Sequence, residues 1–223
     1  MEKQPKAEGV SARLAQAREA SGEELRLLLH DESEEVLAAL LENPNLDESH
    51  LHILLERKNL SSGTLDTIAR QKSWMRSYQM KLRVARHPHA SRLVAIPLLR
   101  QLYLFDLVNV SLLPSVPGEL RRLAEDLLIG RLPQLPLGQK FALARRGSSR
   151  VAGALLAEGH EKVVPIALDN AFLEESELLK VLARDGLSAH VVAGVAQHAK
   201  WSYLYQVRMA LLRHPLTPLA RVL

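Results

Sequence analysis

At 223 residues, with 47% hydrophobic but only 4% aromatic side chains, the chain is long enough to bury a core and builds it from Leu and Ala rather than from the β-branched and aromatic residues that strands prefer. It has no cysteine, which excludes disulfides and thiolate metal sites, and no apolar run long enough for a membrane span, since the best candidate, 102–114, is short and contains Asp106. The formal net charge of +4 averages three unlike stretches: 7 basic and 14 acidic side chains in 1–69, 15 and 4 in 70–150, 7 and 7 in 151–223, an asymmetry that points to a partner.

Residues 1–10 are polar and lack the apolar core of a secretory signal. They read as a flexible leader, and the chain as cytoplasmic. From residue 11, helices of about 8–13 residues alternate with tight turns, apolar residues recurring at i, i+3, i+4 and i+7. Leu51, Leu54 and Leu55 show this spacing, and so do Leu178, Val181 and Leu182. Asp47 and Ser61 stand where N-caps belong, and Asn43-Pro44 and Arg86-His87-Pro88 where helices stop. Leu113–Gln139, with Pro114, Pro117, Pro133 and Pro136, is expected to form an irregular joint. Beyond it Ser148, Glu174 and Ser188 are further caps or first-turn residues, and Arg213-His214-Pro215 a further stop.

Residues 11–96 align without a gap on 138–223, an offset of 127, with 25 identities in 86 positions. Trp74 falls on Trp201, Tyr78-Gln79 on Tyr205-Gln206, and Arg86-His87-Pro88 on Arg213-His214-Pro215. A shorter period lies inside this one: Val36-x-x-Ala39-Leu40-x-x-Asn43-Pro44 matches Met80-x-x-Arg83-Val84-x-x-His87-Pro88 at an offset of 44. A unit of about 42 residues, three to a copy, is in the range of helical repeat arrays.

The motif Val-x-x-Ala-Leu-x-x-Asn-Pro resembles HEAT repeats and the leucine-rich-repeat variant. The resemblance implies an all-α solenoid of short antiparallel helix pairs in two homologous halves, 11–112 and 138–223, joined by a Pro-rich junction, 113–137. Leu223 matches Ile96, after which the first copy continues in helical pattern through Pro97–Arg100. The second half therefore reads as truncated, or as an uncapped apolar end through which the chain self-associates.

Such a fold implies a non-enzymatic scaffold with no cofactor, holding a protein or peptide on its concave surface. Within it, Trp74 and Tyr78, and Trp201 and Tyr205, are four apart, the spacing of one helix face. They suit an aromatic platform, but their occurrence in both copies favours packing. The other candidate is the basic middle: Arg76, Lys81, Arg83, Arg86, Arg92, Arg121, Arg122, Arg145, Arg146 and Arg150, of which Arg76, Arg83, Arg92 and Arg146 have no basic counterpart in the other copy. On one face these residues would bind nucleic acid. With a sequence pI near 9.5, the chain is in this respect similar to the HEAT-like alkylpurine DNA glycosylases of bacteria. That family's catalytic acid among cleft aromatics has no match here beyond Phe105-Asp106. Nine histidines include His50-x-His52 and His87-Pro88-His89. The i, i+2 spacing turns His50 and His52 to different sides of a helix, and His87 and His214 read as helix-end residues that bond the last carbonyls of their own helices. No metal set and no nucleophile motif appears.

Overall fold

Short amphipathic segments, each closed by a polar turn, become fifteen α-helices in the computed structural model, which describes residues 4–217. In order these are α1 (Gln4–Glu19), α2 (Gly22–Leu28), α3 (Glu34–Leu40), α4 (Glu48–Leu54), α5 (Ser62–Arg70), α6 (Tyr78–Ala85), α7 (Arg92–Gln101), α8 (Leu104–Leu112), α9 (Gly118–Arg131), α10 (Leu137–Arg146), α11 (Ser149–Glu158), α12 (Val164–Leu168), α13 (Glu175–Leu182), α14 (Ala189–Gln197) and α15 (Tyr205–Arg213). Single 3-10 turns lie at Trp74–Arg76 and Leu132–Gln134. The described residues are all-helical, with no strand, and none of these helices is long and apolar enough to cross a membrane. Leu223, and with it the apolar chain end, lies outside the described residues.

The chain divides into two units. One takes in the chain up to Tyr103 together with Leu113–Leu120; the other takes in Leu104–Leu112 and the chain from Arg121 onward. Within the first, α1 packs on α3, α3 on α5 and α4 on α6; within the second, α10 packs on α12, α11 on α13, α12 on α14 and α13 on α15. In both units, then, several helices meet the next but one. The core is aliphatic: Leu25, Leu29, Leu40, Leu51, Leu54 and Leu65 are fully buried in the first unit, and Leu143, Leu155, Leu156 and Leu178 in the second.

Two sequence expectations change. Leu113–Gln139 is not an irregular joint, because the 14-residue α9 fills most of it. Its prolines stand outside that helix, Pro114 and Pro117 before it and Pro133 and Pro136 after it, so none removes an interior hydrogen bond. At the other end, α1 begins at Gln4, inside the segment read as a leader.

The expected N-cap positions hold. Asp47, Ser61, Ser148, Glu174 and Ser188 all immediately precede helices, and Asp47, Ser61 and Ser188 bond a first-turn N–H with their side chains. At its other end α11 stops on Gly159, whose φ of 71° is left-handed and where a Cβ would sit 2.6 Å from that of Ser188.

Between helices, one device recurs. Asn43 Nδ2 donates to the carbonyls of Ala17 (2.8 Å) and Ala20 (2.9 Å), at the end of α1, while its Oδ1 accepts the Asn45 N–H at 2.7 Å. Asn170 does the same 127 residues later, donating to Ala144 (2.7 Å) and Gly147 (3.0 Å) and accepting from Phe172 at 2.7 Å. Arg57 reaches the carbonyls of Leu29 (2.6 Å) and Asp31 (2.8 Å) after α2. These side chains close their own turn and satisfy carbonyls at the end of an earlier helix. Replacing Asn170 with Ala leaves two buried carbonyls without a donor. We expect it to lower stability by about 3 kcal/mol, read as an earlier urea midpoint, with Asn43→Ala matching it within about 1 kcal/mol.

Candidate binding clefts

The two Trp-x-x-x-Tyr segments do not put their aromatics on one helix face. Ser77 (ψ 127°) and Leu204 (ψ 128°) are extended N-caps between each Trp and its Tyr, so Trp74 lies in a 3-10 turn and Trp201 in a loop turn, while each Tyr opens a helix. Trp201 is 1% exposed and its Nε1 donates to the Leu168 carbonyl at 2.8 Å. The Lys200 ammonium lies 3.9 Å from the ring centroid, within cation–π range. Trp74 is only half-buried. Tyr78 stacks on Tyr103 with centroids 4.3 Å apart and accepts the Tyr103 N–H at 3.0 Å, whereas Tyr205 is 71% exposed.

The basic residues divide between the units. Arg76, Lys81, Arg83, Arg86 and Arg92 belong to the first; Arg121, Arg122, Arg145, Arg146 and Arg150 belong to the second. Several are occupied by acids. Arg83 meets Glu56 at 3.5 Å, Arg92 meets Glu119 at 3.0 Å, and Arg150 is held by Glu125 and Asp126, both at 2.8 Å. The two carboxylates raise the Arg150 pKa above its ordinary value. Arg121 is half-buried, with its Nε unpartnered, while Arg76, Arg86, Arg122, Arg145 and Arg146 are exposed and Lys81 is half-buried.

In the first unit Arg83 and Arg86 come together with residues that the sequence reading passed over. The C-terminal ends of α4 and α6 and the segment after α8 enclose a cleft of about 380 Å³, within the size range of ligand pockets. Arg57, Lys58, Arg83 and Arg86 bring four cations to it and Glu56 a single carboxylate; Leu55, Pro88 and Leu113 supply apolar wall. Arg57 is fixed by its two carbonyl acceptors, and Arg83 is steadied by Glu56. Lys58 and Arg86 make no ion pair among the described residues, so the cleft has an excess of positive charge with two guanidinium groups already oriented. Such an arrangement holds anions through charge-assisted, bidentate hydrogen bonds.

His87 forms the floor of the cleft and is 3% exposed. It does not bond the carbonyls of its own helix, as the sequence reading expects. Its Nδ1 accepts the His89 N–H at 3.2 Å, which leaves the proton on Nε2, and Nε2 donates to the Arg57 carbonyl at 2.7 Å. The backbone of the arginine that lines one wall is thereby tied to the end of α6. His160, His198 and His214 accept the N–H two residues ahead in the same way. Four of the nine histidines are therefore turn-closing groups, and among the described residues no cluster of His, Asp and Glu has the arrangement of a metal site.

The signal that could have located the cleft was in the alignment. Arg57, Arg86 and His87 are identical to Arg184, Arg213 and His214, but Arg57 and Arg184 are isolated in sequence from the basic middle. Comparison of the chain with protein-family models, with curated proteins and with solved structures returns no match.

Burial lowers the His87 pKa below 6.5, and the neighbouring His89 adds to this, against the opposing effect of the Arg57 carbonyl. The unfolded chain therefore takes up this proton first. The stability contributed by neutral His87 is complete above its unfolded pKa and is lost as pH falls through the folded one. Between about pH 7.5 and 5.5 the urea midpoint should fall for the native chain and fall less for His87→Asn, which keeps a donor and an acceptor but no titrating group. For the aromatic pair, Trp201→Ala should cost about 3–5 kcal/mol as a core truncation. Trp74→Ala should cost less than half of that, measured in the same denaturation series.

Proposed function

We propose that the chain is a non-enzymatic helical-repeat scaffold, a HEAT-like α-solenoid in two homologous halves, that holds an acidic segment of a protein partner in the first unit's cleft. Next-but-one helix packing supports the solenoid reading. So does the match of element to element at 127 residues, where α5 (Ser62–Arg70) falls on α14 (Ala189–Gln197) residue for residue. The binding reading rests on the four cations gathered against one carboxylate at the ends of α4 and α6.

The same charge raises nucleic acid as a rival partner. Arg83, Arg92, Lys140 and Arg150 are each engaged with a carboxylate, and phosphate could recruit them only by breaking those pairs. A protein segment needs only the local excess at Lys58 and Arg86. The test is fluorescence anisotropy of the full chain with a labelled peptide of alternating Glu and Gly, and with a labelled DNA duplex, from about 50 to 200 mM salt. The peptide should bind, and Arg86→Glu should weaken it about tenfold or more. Tighter binding of the duplex, with affinity falling steeply as salt rises, would replace the scaffold reading with the nucleic-acid one.

A further inference from the structure

A second cleft of about 590 Å³ lies in the second unit, between the C-terminal ends of α13 and α15. Eight of its lining residues are those of the first cleft displaced by 127 positions, from Leu55/Leu182 to Pro88/Pro215. The two clefts share a frame and differ in chemistry. Arg184, Arg213 and His214 repeat Arg57, Arg86 and His87, but Glu56, Lys58 and Arg83 are replaced by Ala183, Asp185 and Ala210. Four cations against one carboxylate become two against one. Loss of the Arg83 and Glu56 side chains fits the larger volume, and Leu179, Leu187 and Leu216 add apolar wall.

The histidine differs as well. His214 Nδ1 accepts the Leu216 N–H at 3.2 Å, so its proton is on Nε2, as in His87. In the first cleft that proton is spent on the Arg57 carbonyl at 2.7 Å. Among the described residues His214 Nε2 has no acceptor, and the ring is half-buried rather than buried. Two guanidinium groups and an imidazole N–H therefore line a cavity with a single carboxylate, Asp185, and otherwise apolar walls in which leucine and alanine predominate. Three donors with a small charge excess suit one carboxylate. The apolar walls and added volume suit aliphatic side chains beside it.

From this contrast we infer that the second unit binds a carboxylate carried on an apolar segment, a ligand different from the strongly acidic one of the first cleft. The inference rests on the scaffold reading only in taking the shared frame as a binding frame. The carboxylate has two sources, a free peptide C-terminus behind leucine-sized residues or an aspartate between them, and the probes separate these.

Three labelled decapeptides of Gly and Ser are used with the full chain in anisotropy titrations. One ends Leu-Leu with a free carboxylate, one ends Leu-Leu-amide, and one carries Leu-Asp-Leu internally and ends in an amide. One or both of the carboxylate probes should bind at least about tenfold tighter than the uncharged amide, and the better of the two names the source. Arg213→Glu should weaken that probe by a similar factor, and Arg86→Glu should leave it unchanged. Ala210→Arg, which reinstates the charge of Arg83, should tighten it, and Ala210→Glu should weaken it, so the inference does not depend on one variant folding. Equal binding of the amide and the carboxylates, absence of binding by all three, or indifference to all the variants at positions 210 and 213 would overturn it. The Glu-Gly peptide with Arg86→Glu reports on the first cleft alone, so failure of either site can be told from failure of the other.

Discussion

A helix of seven residues leaves most of its carbonyls without an intrahelical donor, and α2, α3 and α4 have seven residues each while α12 has five. A chain built this way depends on what its turns do with those carbonyls. Here the donors come from the side chains of later turns: Asn43 and Arg57 in the first unit, Asn170 and the Trp201 indole in the second. Each bond spans between 23 and 33 residues, so a group needed to end one helix also fixes the position of another. Aliphatic contact alone is tolerant of sliding; a buried amide with two carbonyl acceptors is not, because displacement leaves all three groups unpaired in a dry core. The leucine core supplies most of the burial, and the turn side chains set the register.

Part of the charge distribution belongs to the frame as well. Arg13 pairs with Asp31 at 2.6 Å, and 127 residues later Lys140 pairs with Glu158 at 2.8 Å; position and sign agree although both residue types change. These pairs belong to the frame, as do Arg92–Glu119 and the clamp of Glu125 and Asp126 on Arg150. Of the fifteen cations in 70–150, Arg83, Arg92, Lys140 and Arg150 are thus held by carboxylates. Of the cations outside these pairs, Arg86 stands with Lys58 at the cleft formed by the ends of α4 and α6, a concave surface of ligand size.

Much of the helical architecture was legible in the sequence because it depends on short-range rules. Apolar spacing marked α4 and α13, Asp47 and Glu174 marked their starts as Ser61 marked that of α5, and Asn-Pro and His-Pro marked stops. Two readings failed because a local pattern has more than one spatial outcome. Four prolines in 113–136 look like an irregular joint until one sees that they bracket α9 without entering it. Trp and Tyr four apart look like one helix face until an extended Ser77 or Leu204 comes between them. The cleft was illegible for another reason: Arg57 and Arg86 are 29 positions apart, and only the packing of α4 on α6 brings them to one cavity. Counting charges along the chain finds the basic middle and misses Arg57 and Lys58, which sit in the acidic third.

Repetition helps to separate frame from site only when it is read atom by atom. Motifs that occur twice were expected to be packing, and Asn43 and Asn170 fit that, making the same three bonds at both places. Trp74 and Trp201 do not, one being half-buried and the other sealed under a lysine. Nor do His87 and His214, identical residues of which one is buried and has both ring nitrogens occupied. A repeated residue whose bonds are all used holds the fold; the same residue with one donor left over, facing a cavity, can do something else. By that criterion the place to look for function is not where the two copies differ most in sequence but where the same side chain is spent in one and unspent in the other.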